Sequence, residues 1–277
     1  MPTSPPTDGS RAPIAVICAI HHELTHLRAA LPPGQEEWRN NRCAWVTELD
    51  GHPIILALCG IKMVSAAAVS ETIISQYQPA AVLNFGCAGA HRADLLPGDL
   101  VIGARVVAYD SITERHDGTE QYARMRYLRQ GEQQTADYLM ADPLLLERAR
   151  LIAERLEGQH EPWPVSIGWP GTIAHRPPRH IIGTVASADR WNRTPASIES
   201  IARQHDSACE DMEAAAIALT CASHDVPFLS IKDISNNELL DVTESGSIIT
   251  SLLGEQVGRR AGALTLALLR DLVAAHA

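Results

Sequence analysis

The side chains best placed for chemistry lie in one stretch, residues 209–238. It opens with the carboxylates Glu210, Asp211 and Glu213 around Met212, and closes with Asp233, Ser235, Asn236, Asn237 and Glu238. Between them run a small-residue helix and a buried strand. Carboxylates where a helix begins and amides where a strand ends both face the crevice in which α/β sheets take ligands. Together they offer negative charge, groups able to move protons, and hydrogen-bond donors. Each half also has a plainer explanation: Asp211-Met212-Glu213 complements a helix dipole, and Asn236-Asn237 makes a polar loop.

Two further patterns carry possible chemistry. His22-Glu23-Leu24-Thr25-His26 matches HExxH, in which two histidines on one helix face bind zinc and the glutamate activates water. Its surroundings argue against that use. Ala29 and Pro32 stand where the extended motif has Gly and His, Pro32 ends the helix, and Glu48 is the nearest third ligand. No bound metal is expected. Gly86-Cys87-Ala88-Gly89 follows a strand and is either a phosphate-cradling turn or a turn that needs positive φ.

The elements that must position these residues alternate between strand and helix. Ile14–Ile20 and Ala80–Phe85 are continuous apolar runs, the mark of strands buried on both faces. A helix from His22 to Leu31 is stopped by Pro32-Pro33. Cys43–Leu49 and Ile54–Leu58 flank Asp50-Gly51, a hairpin signal. Gly60-Ile61-Lys62 turns into a helix from Val64 to Tyr77. Pro97-Gly98-Asp99 introduces a strand over Leu100–Ala108. Residues 110–140 show neither period and read as an irregular flap. Asp142-Pro143 starts a helix to Glu157, and residues 158–180, with Trp163 and Trp169, read as a long loop. A strand over Ile181–Ser187, a helix capped by Thr194-Pro195, and a final amphipathic helix from Gly246 to Ala275 complete the chain. The expected class is α/β, a single domain of three α/β/α layers around a central mixed sheet.

Composition narrows the function classes. A net charge of −10 over 277 residues argues against a general grip on nucleic acid phosphates. The six cysteines stand singly in apolar segments, which reads as core packing in a reducing compartment. No apolar run reaches the roughly 18 residues that a membrane helix needs. Residues 1–12 are polar and proline-rich, without the pattern of a leader, so a frayed tail on a cytoplasmic protein is expected.

Order and spacing then make a resemblance visible. Glu23 after the first strand, Gly60-Ile61-Lys62, Asn84-Phe85-Gly86-Cys87-Ala88-Gly89, Pro97-Gly98-Asp99-Leu100-Val101, Ser187-Ala188-Asp189, Asp211-Met212-Glu213-Ala214 and Ile234-Ser235-Asn236 come in that order. The chain resembles the nucleoside phosphorylase family, most closely its methylthioadenosine/S-adenosylhomocysteine nucleosidases, over residues 13–277. The resemblance implies hydrolysis of the N-glycosidic bond of a purine nucleoside or nucleotide, with no metal or organic cofactor and no nucleic acid or membrane partner. It implies a homo-oligomer, a dimer or higher, because sites of this family often borrow residues from a neighbouring subunit.

By the same resemblance, Glu23 positions the attacking water, and Met212 and Glu213 pack on the ribose and bind its hydroxyls. Trp191 stacks on the base, and Cys87, with Ala88 and Gly89, stands where nucleosidases carry a serine beside the water or sugar. Asp211 and Ser235 complete the binding set. Asn236 occupies the position of the acid that protonates purine N7, and it is the informative departure. An amide cannot transfer a proton but can donate a hydrogen bond to N7 or O6. That favours a 6-oxopurine, while adenine stays open with the amide turned; Asp233 is a candidate substitute acid, although strand alternation points it to the opposite side from its neighbours. Asn84 and Phe85 replace the arginine that phosphorylases carry before the glycine turn, which favours water over phosphate as nucleophile. Phosphorolysis and a catalytically silent nucleoside-binding module remain the alternatives. Arg176, Arg179, Arg190 and Arg193 are candidates for an acidic 5′-substituent.

Overall fold

The computed structural model describes residues 11–162, 169, 173–240, 256 and 258–275. Fourteen strands and six helices are assigned among them, in the order β1 (Ile14–Cys18), α1 (His21–Ala30), β2 (Gln35–Arg39), β3 (Arg42–Leu49), β4 (His52–Leu58), α2 (Met63–Tyr77), β5 (Ala81–Ala90) and β6 (Leu100–Ala108). Then follow β7 (Ile112–Glu114), β8 (Glu120–Tyr122), β9 (Met125–Arg129), β10 (Glu132–Ala136), β11 (Leu139–Met140), α3 (Pro143–Leu156) and β12 (His180–Ser187). The chain ends with α4 (Pro195–His205), β13 (Ser207–Asp211), α5 (Ala214–Ser223), β14 (Phe228–Asn236) and α6 (Arg259–Ala275).

Ten strands form one mixed sheet in the order β11-β6-β12-β13-β5-β1-β4-β3-β2, with β14 inserted between β5 and β6. The β1 strand lies parallel to both β4 and β5, as expected of a run apolar on every residue. Successive residues of β1 enter opposite cores. Ile14, Val16 and Cys18 pack with α1, α3 and α6, while Ala15 and Ile17 pack with α2 and α5. The molecule is therefore three-layered, with helices on both sides of the sheet.

One feature of the sheet bears directly on function. Strand β5 is long enough to pair β14 along most of its length and β13 at its last residues. Since β14 pairs β6, β6 pairs β12 and β12 pairs β13, the pairings close into a ring. The C-terminal ends of β5, β13 and β14 meet at its rim, where Gly89 has Glu210 on one side and Asn236 on the other.

The stretch over 110–140 is not irregular. It folds as two hairpins, β7–β8 and β9–β10, followed by β11 on the edge of the large sheet. The hairpins are solvated on most positions and so lack an apolar period. Their turns carry the signal instead: Gly118 at φ 79°, and Gln130-Gly131 at 53° and 83°. The final helix begins later than expected, at Arg259, because Gly258 takes φ 80°. The expected helical residues 246–255 and 257, Trp163 in the expected loop, and most of the expected N-terminal tail lie outside the described residues. No helix among the described residues is long and apolar enough to cross a membrane.

Candidate active site

Glu23 is the third residue of α1 and turns back into the protein instead of facing solvent. Its Oε2 accepts from the Ala19 and Ile20 amides at 3.0 and 3.2 Å, and its Oε1 from the Cys87 amide at 2.9 Å. A carboxylate has about four lone-pair sites; three take rigid backbone amides, and the Cys87 thiol is hydrogen-bonded to the same carboxylate. Two glycines make this placement sterically feasible. A Cβ on Gly86 would lie 2.6 Å from Glu23 Oε1, and one on Gly258 would lie 2.9 Å from Glu23 Cα. The HExxH pattern is thereby taken apart. Glu23 is buried while His22 is exposed, and no group of three or more metal-capable side chains occurs among the described residues.

Asp211 and Glu213 sit where β13 passes into α5. Asp211 accepts from the Ala214 amide at 2.9 Å and from the Ser187 hydroxyl, which in turn accepts from the Ala215 amide at 3.0 Å. The first-turn amides of α5 are thus satisfied by two side chains, as a helix start requires. Lys232, reaching across from β14, places Nζ 2.7 Å from Asp211 Oδ2, with both side chains nearly inaccessible. Burial would lower the lysine, but Asp211 and Glu213 override it and hold it charged, above its ordinary value. Glu213 Oε1 accepts from the Lys62 amide at 2.8 Å, and Asp189 from the Met63 amide at 2.7 Å. Lys62 takes φ 83° to aim that amide, so Gly60-Ile61-Lys62 is a bent helix entrance held by two acids. Burial, then the Asp211 charge, pushes Glu213 up to about 7, with Lys232 opposing.

At the other end, the Ser235 hydroxyl donates to Asn236 Oδ1 at 2.8 Å and Asn236 Nδ2 donates to Glu238 Oε1 at 3.2 Å. Asn237 is structural, its amide donating to the Arg92 and Leu95 carbonyls at 2.9 and 2.7 Å. Asp233 does not face this cleft. It accepts from the amides of Gly258, Arg260 and Ala261 at 3.1, 3.2 and 3.4 Å, so it caps α6 and is spent there. Burial pushes it up to about 6 even so. The Cys87 thiol is pushed well above its ordinary value by burial, then by Glu23 and Asp233, so it stays protonated near neutrality.

These groups line one cleft of about 250 Å³. Glu23, Cys87, Ala88, Gly89, Trp191, Asp211, Met212, Glu213, Ser235 and Asn236 all contribute to its wall. Trp191 is 53% exposed at the mouth, with the Arg193 guanidinium 4.9 Å from its ring centroid. Arg190 is the one cation along the cleft among the described residues. Arg176 and Arg179 are engaged elsewhere, Arg176 with Asp99 at 2.7 and 2.5 Å and Arg179 with Asp94. Glu210, one of the carboxylates that open the 209–238 stretch but without a role assigned to it from the sequence, also lines the cleft.

The phosphorylase superfamily description matches residues 13–274. Among curated proteins, the chain is similar to the 5′-methylthioadenosine/S-adenosylhomocysteine nucleosidase of Geobacillus kaustophilus, 30% identical over 224 residues, covering 80% of this chain and 83% of that protein. The nucleosidase of the same name from Mycobacterium tuberculosis is 27% identical over 245 residues, 87% of this chain and 91% of the relative. Among solved structures, the S-adenosylhomocysteine nucleosidase of Streptococcus pyogenes superposes with a TM-score of 0.75 at 21% identity, over 96% of this chain and 99% of that one. The futalosine hydrolase of Helicobacter pylori superposes with a TM-score of 0.74 at 16% identity, over 94% and 97%. These two superpositions speak for the fold.

Proposed function

This chain belongs to the phosphorylase superfamily, and we propose that within it the chain works as a purine nucleosidase, hydrolysing the N-glycosidic bond to release free base and the ribosyl moiety. The observation that carries this reading is Glu23, a buried carboxylate held by three backbone amides, in the cleft that also contains Glu213. Breaking this bond builds oxocarbenium character on the sugar and negative charge on the departing base. A water that donates to Glu23 is oriented and made more nucleophilic, and the nearby carboxylates offset the sugar's positive charge. Glu213 is the ribose-hydroxyl acceptor, steadied by the Lys62 amide, and Met212 packs against the sugar. Trp191 covers the base, whose N7 receives a hydrogen bond from Asn236. Asn236 favours a 6-oxopurine. The names of the curated relatives favour methylthioadenosine and S-adenosylhomocysteine, which the cleft would take with the Asn236 amide reversed.

A second reading, phosphorolysis, is favoured by Arg190 at the cleft, which suits an anion. Against it, Asn84 is committed to the sheet, donating to the Ile17 carbonyl at 3.1 Å and accepting from Ser230 at 2.8 Å. The deciding experiment incubates the protein with adenosine, methylthioadenosine, inosine, guanosine and their 5′-phosphates, with and without phosphate, and separates the products. Base plus free ribose without added phosphate is expected. Free base appearing only with phosphate, together with the sugar as its 1-phosphate, moves the protein to the phosphorylases. Calorimetric binding with no turnover over days makes it a nucleoside-binding module. A homo-oligomer of at least two chains is part of the proposal, and light scattering on the purified protein tests it.

A further inference from the structure

Helix α2 begins without a cap of its own. Lys62, the residue before its first turn, makes no side-chain cap bond, and the first turn holds no acid. Two consecutive amides at its start are taken instead by carboxylates from distant parts of the chain. The Lys62 amide donates to Glu213 Oε1 at 2.8 Å, and the Met63 amide donates to Asp189 Oδ1 at 2.7 Å. Both acids also suit the positive end of the helix dipole. Glu213 is the sugar acid of the proposed mechanism. Asp189, two residues before Trp191 in the loop after β12, takes no part in the steps above.

Presenting both amides demands an unusual backbone. Lys62 takes φ 83° and ψ 158°, a region reserved almost wholly for glycine. A residue with a Cβ persists there only where its surroundings over-determine it. The lysine side chain is exposed, so its own burial does not hold the conformation. The two bonded amides do: one precedes the φ of Lys62 and the other follows its ψ, so together they fix both angles. The loop that carries Asp189 is itself tied down, by the Ala188 amide to the Asp211 carbonyl at 3.3 Å and by the Tyr109 hydroxyl to the Arg190 carbonyl at 3.4 Å. Ile61 and Trp191, one on each side of the contact, both line the cleft.

We propose that Asp189 is a positioning residue: by taking the Met63 amide it keeps Lys62 in its strained conformation, and so couples the seating of the Trp191 loop to the hold on Glu213. This rests on the purine-nucleosidase reading of the cleft. A base under Trp191 steadies the loop, the loop steadies Lys62, and the Lys62 amide aims Glu213 at the ribose hydroxyls. Coupling between two sites is reciprocal, so a bound sugar steadies the Trp191 loop in turn. Without the Asp189 carboxylate, Lys62 relaxes toward an ordinary backbone and its amide leaves Glu213.

Initial rates on the best nucleoside of the product panel test this in the unaltered chain, Asp189→Ala, Lys62→Gly and the double variant. Asp189→Ala is expected to lower kcat/KM by about tenfold, the effect of losing one hydrogen bond to a charged group. With Lys62→Gly the backbone needs no enforcement, so adding Asp189→Ala should cost only about twofold or less. Asp189→Asn keeps an oxygen for the Met63 amide and should restore most of the loss. The rising limb of kcat/KM against pH should move upward in Asp189→Ala, because the Lys62 amide favours ionised Glu213 against burial and the Asp211 charge. It should return in the double variant. A loss that persists beside Lys62→Gly, or an Asp189→Ala protein as active as the unaltered one, would overturn the inference. Should Asp189→Ala fail to fold, amide exchange over residues 61–64 of the unaltered protein decides: bound free base should slow it, and an unchanged rate overturns the coupling. No turnover of any nucleoside sinks the nucleosidase reading and leaves the exchange measurement to judge Asp189. Turnover without rescue by Lys62→Gly sinks this inference alone.

Discussion

Replacing Lys232 by Met tests whether the buried charges at the sugar end act as one unit. Lys232 Nζ lies 2.7 Å from Asp211 Oδ2, with the two side chains 2% and 1% exposed, so neither charge is stabilised by water. Removing one partner of such a pair costs about 3–5 kcal/mol, mostly because the other is left buried and uncompensated. At about 2.1 cal/mol/K of unfolding entropy per residue, a chain of 277 residues should lose about 5–9 °C in Tm. A second consequence follows from Glu213, whose ionisation near pH 7 is already opposed by burial and Asp211 and helped by Lys232. Without the lysine it should ionise at still higher pH. The rising limb of kcat/KM against pH, read on the best nucleoside of the panel, should therefore shift upward. The double variant Lys232→Met/Asp211→Asn removes the stranded charge and keeps an acceptor for the Ala214 amide while its NH2 can donate to the Ser187 hydroxyl oxygen, so it should recover at least half of the lost Tm. A single variant within about 2 °C of the unaltered protein, or a double variant with strictly additive losses, would refute the reasoning.

Glu23→Gln should lower kcat by about 10²–10⁴ because it weakens the water's acceptor, and should lower Tm as well, since its NH2 faces a backbone N–H that the carboxylate accepted; single-turnover rates and melting check it. Glu213 sits above its ordinary range, so the folded protein binds a proton that the unfolded chain releases between pH 4.5 and about 7. Stability should accordingly fall as pH rises across that window, by roughly 3 kcal/mol for this group, and Glu213→Gln should flatten the slope in urea titrations. Gly258→Ala forces a side chain into φ 80° and against Glu23 Cα, so it should cost at least about 2 kcal/mol and lower kcat together, measured by melting and by initial rates. Asn236→Asp restores a carboxyl beside Glu238, and on the competition panel it should shift preference toward adenine nucleosides.

Much of this was legible in the sequence, and the limits have physical reasons. Strands buried on both faces announce themselves as unbroken apolar runs, so β1 and the start of β5 could be placed, while the Pro97-Gly98-Asp99 turn marked the start of β6. The site residues followed because they sit at the ends of those elements, where side-chain chemistry is freed from packing. The hairpins over 112–136 were hidden because their order comes from positive-φ turns and backbone pairing, not from an apolar face. Strand alternation turned Asp233 away from its site neighbours but named no partner for it. Only the fold brings the start of α6 onto it. Arg176 and Arg179 stood near the site residues in sequence, yet their partners, Asp94 and Asp99, come from a turn more than seventy residues earlier.

The two ends of the cleft differ in how freely they can change. At the sugar end, each functional group also holds the fold: Asp211 starts α5 and neutralises Lys232, Glu213 anchors the bent entrance to α2, and Glu23 ties α1 to β5. A substitution there costs stability as well as chemistry, so on the proposed reading sugar recognition and folding are coupled. At the base end, Asn236 bonds to Ser235 and Glu238, side chains of its own strand end, and Gly89 leaves space around it. An amide can replace a carboxyl there without disturbing a helix start or a buried ion pair. On the proposed reading, base preference is therefore the property this scaffold can alter at least cost.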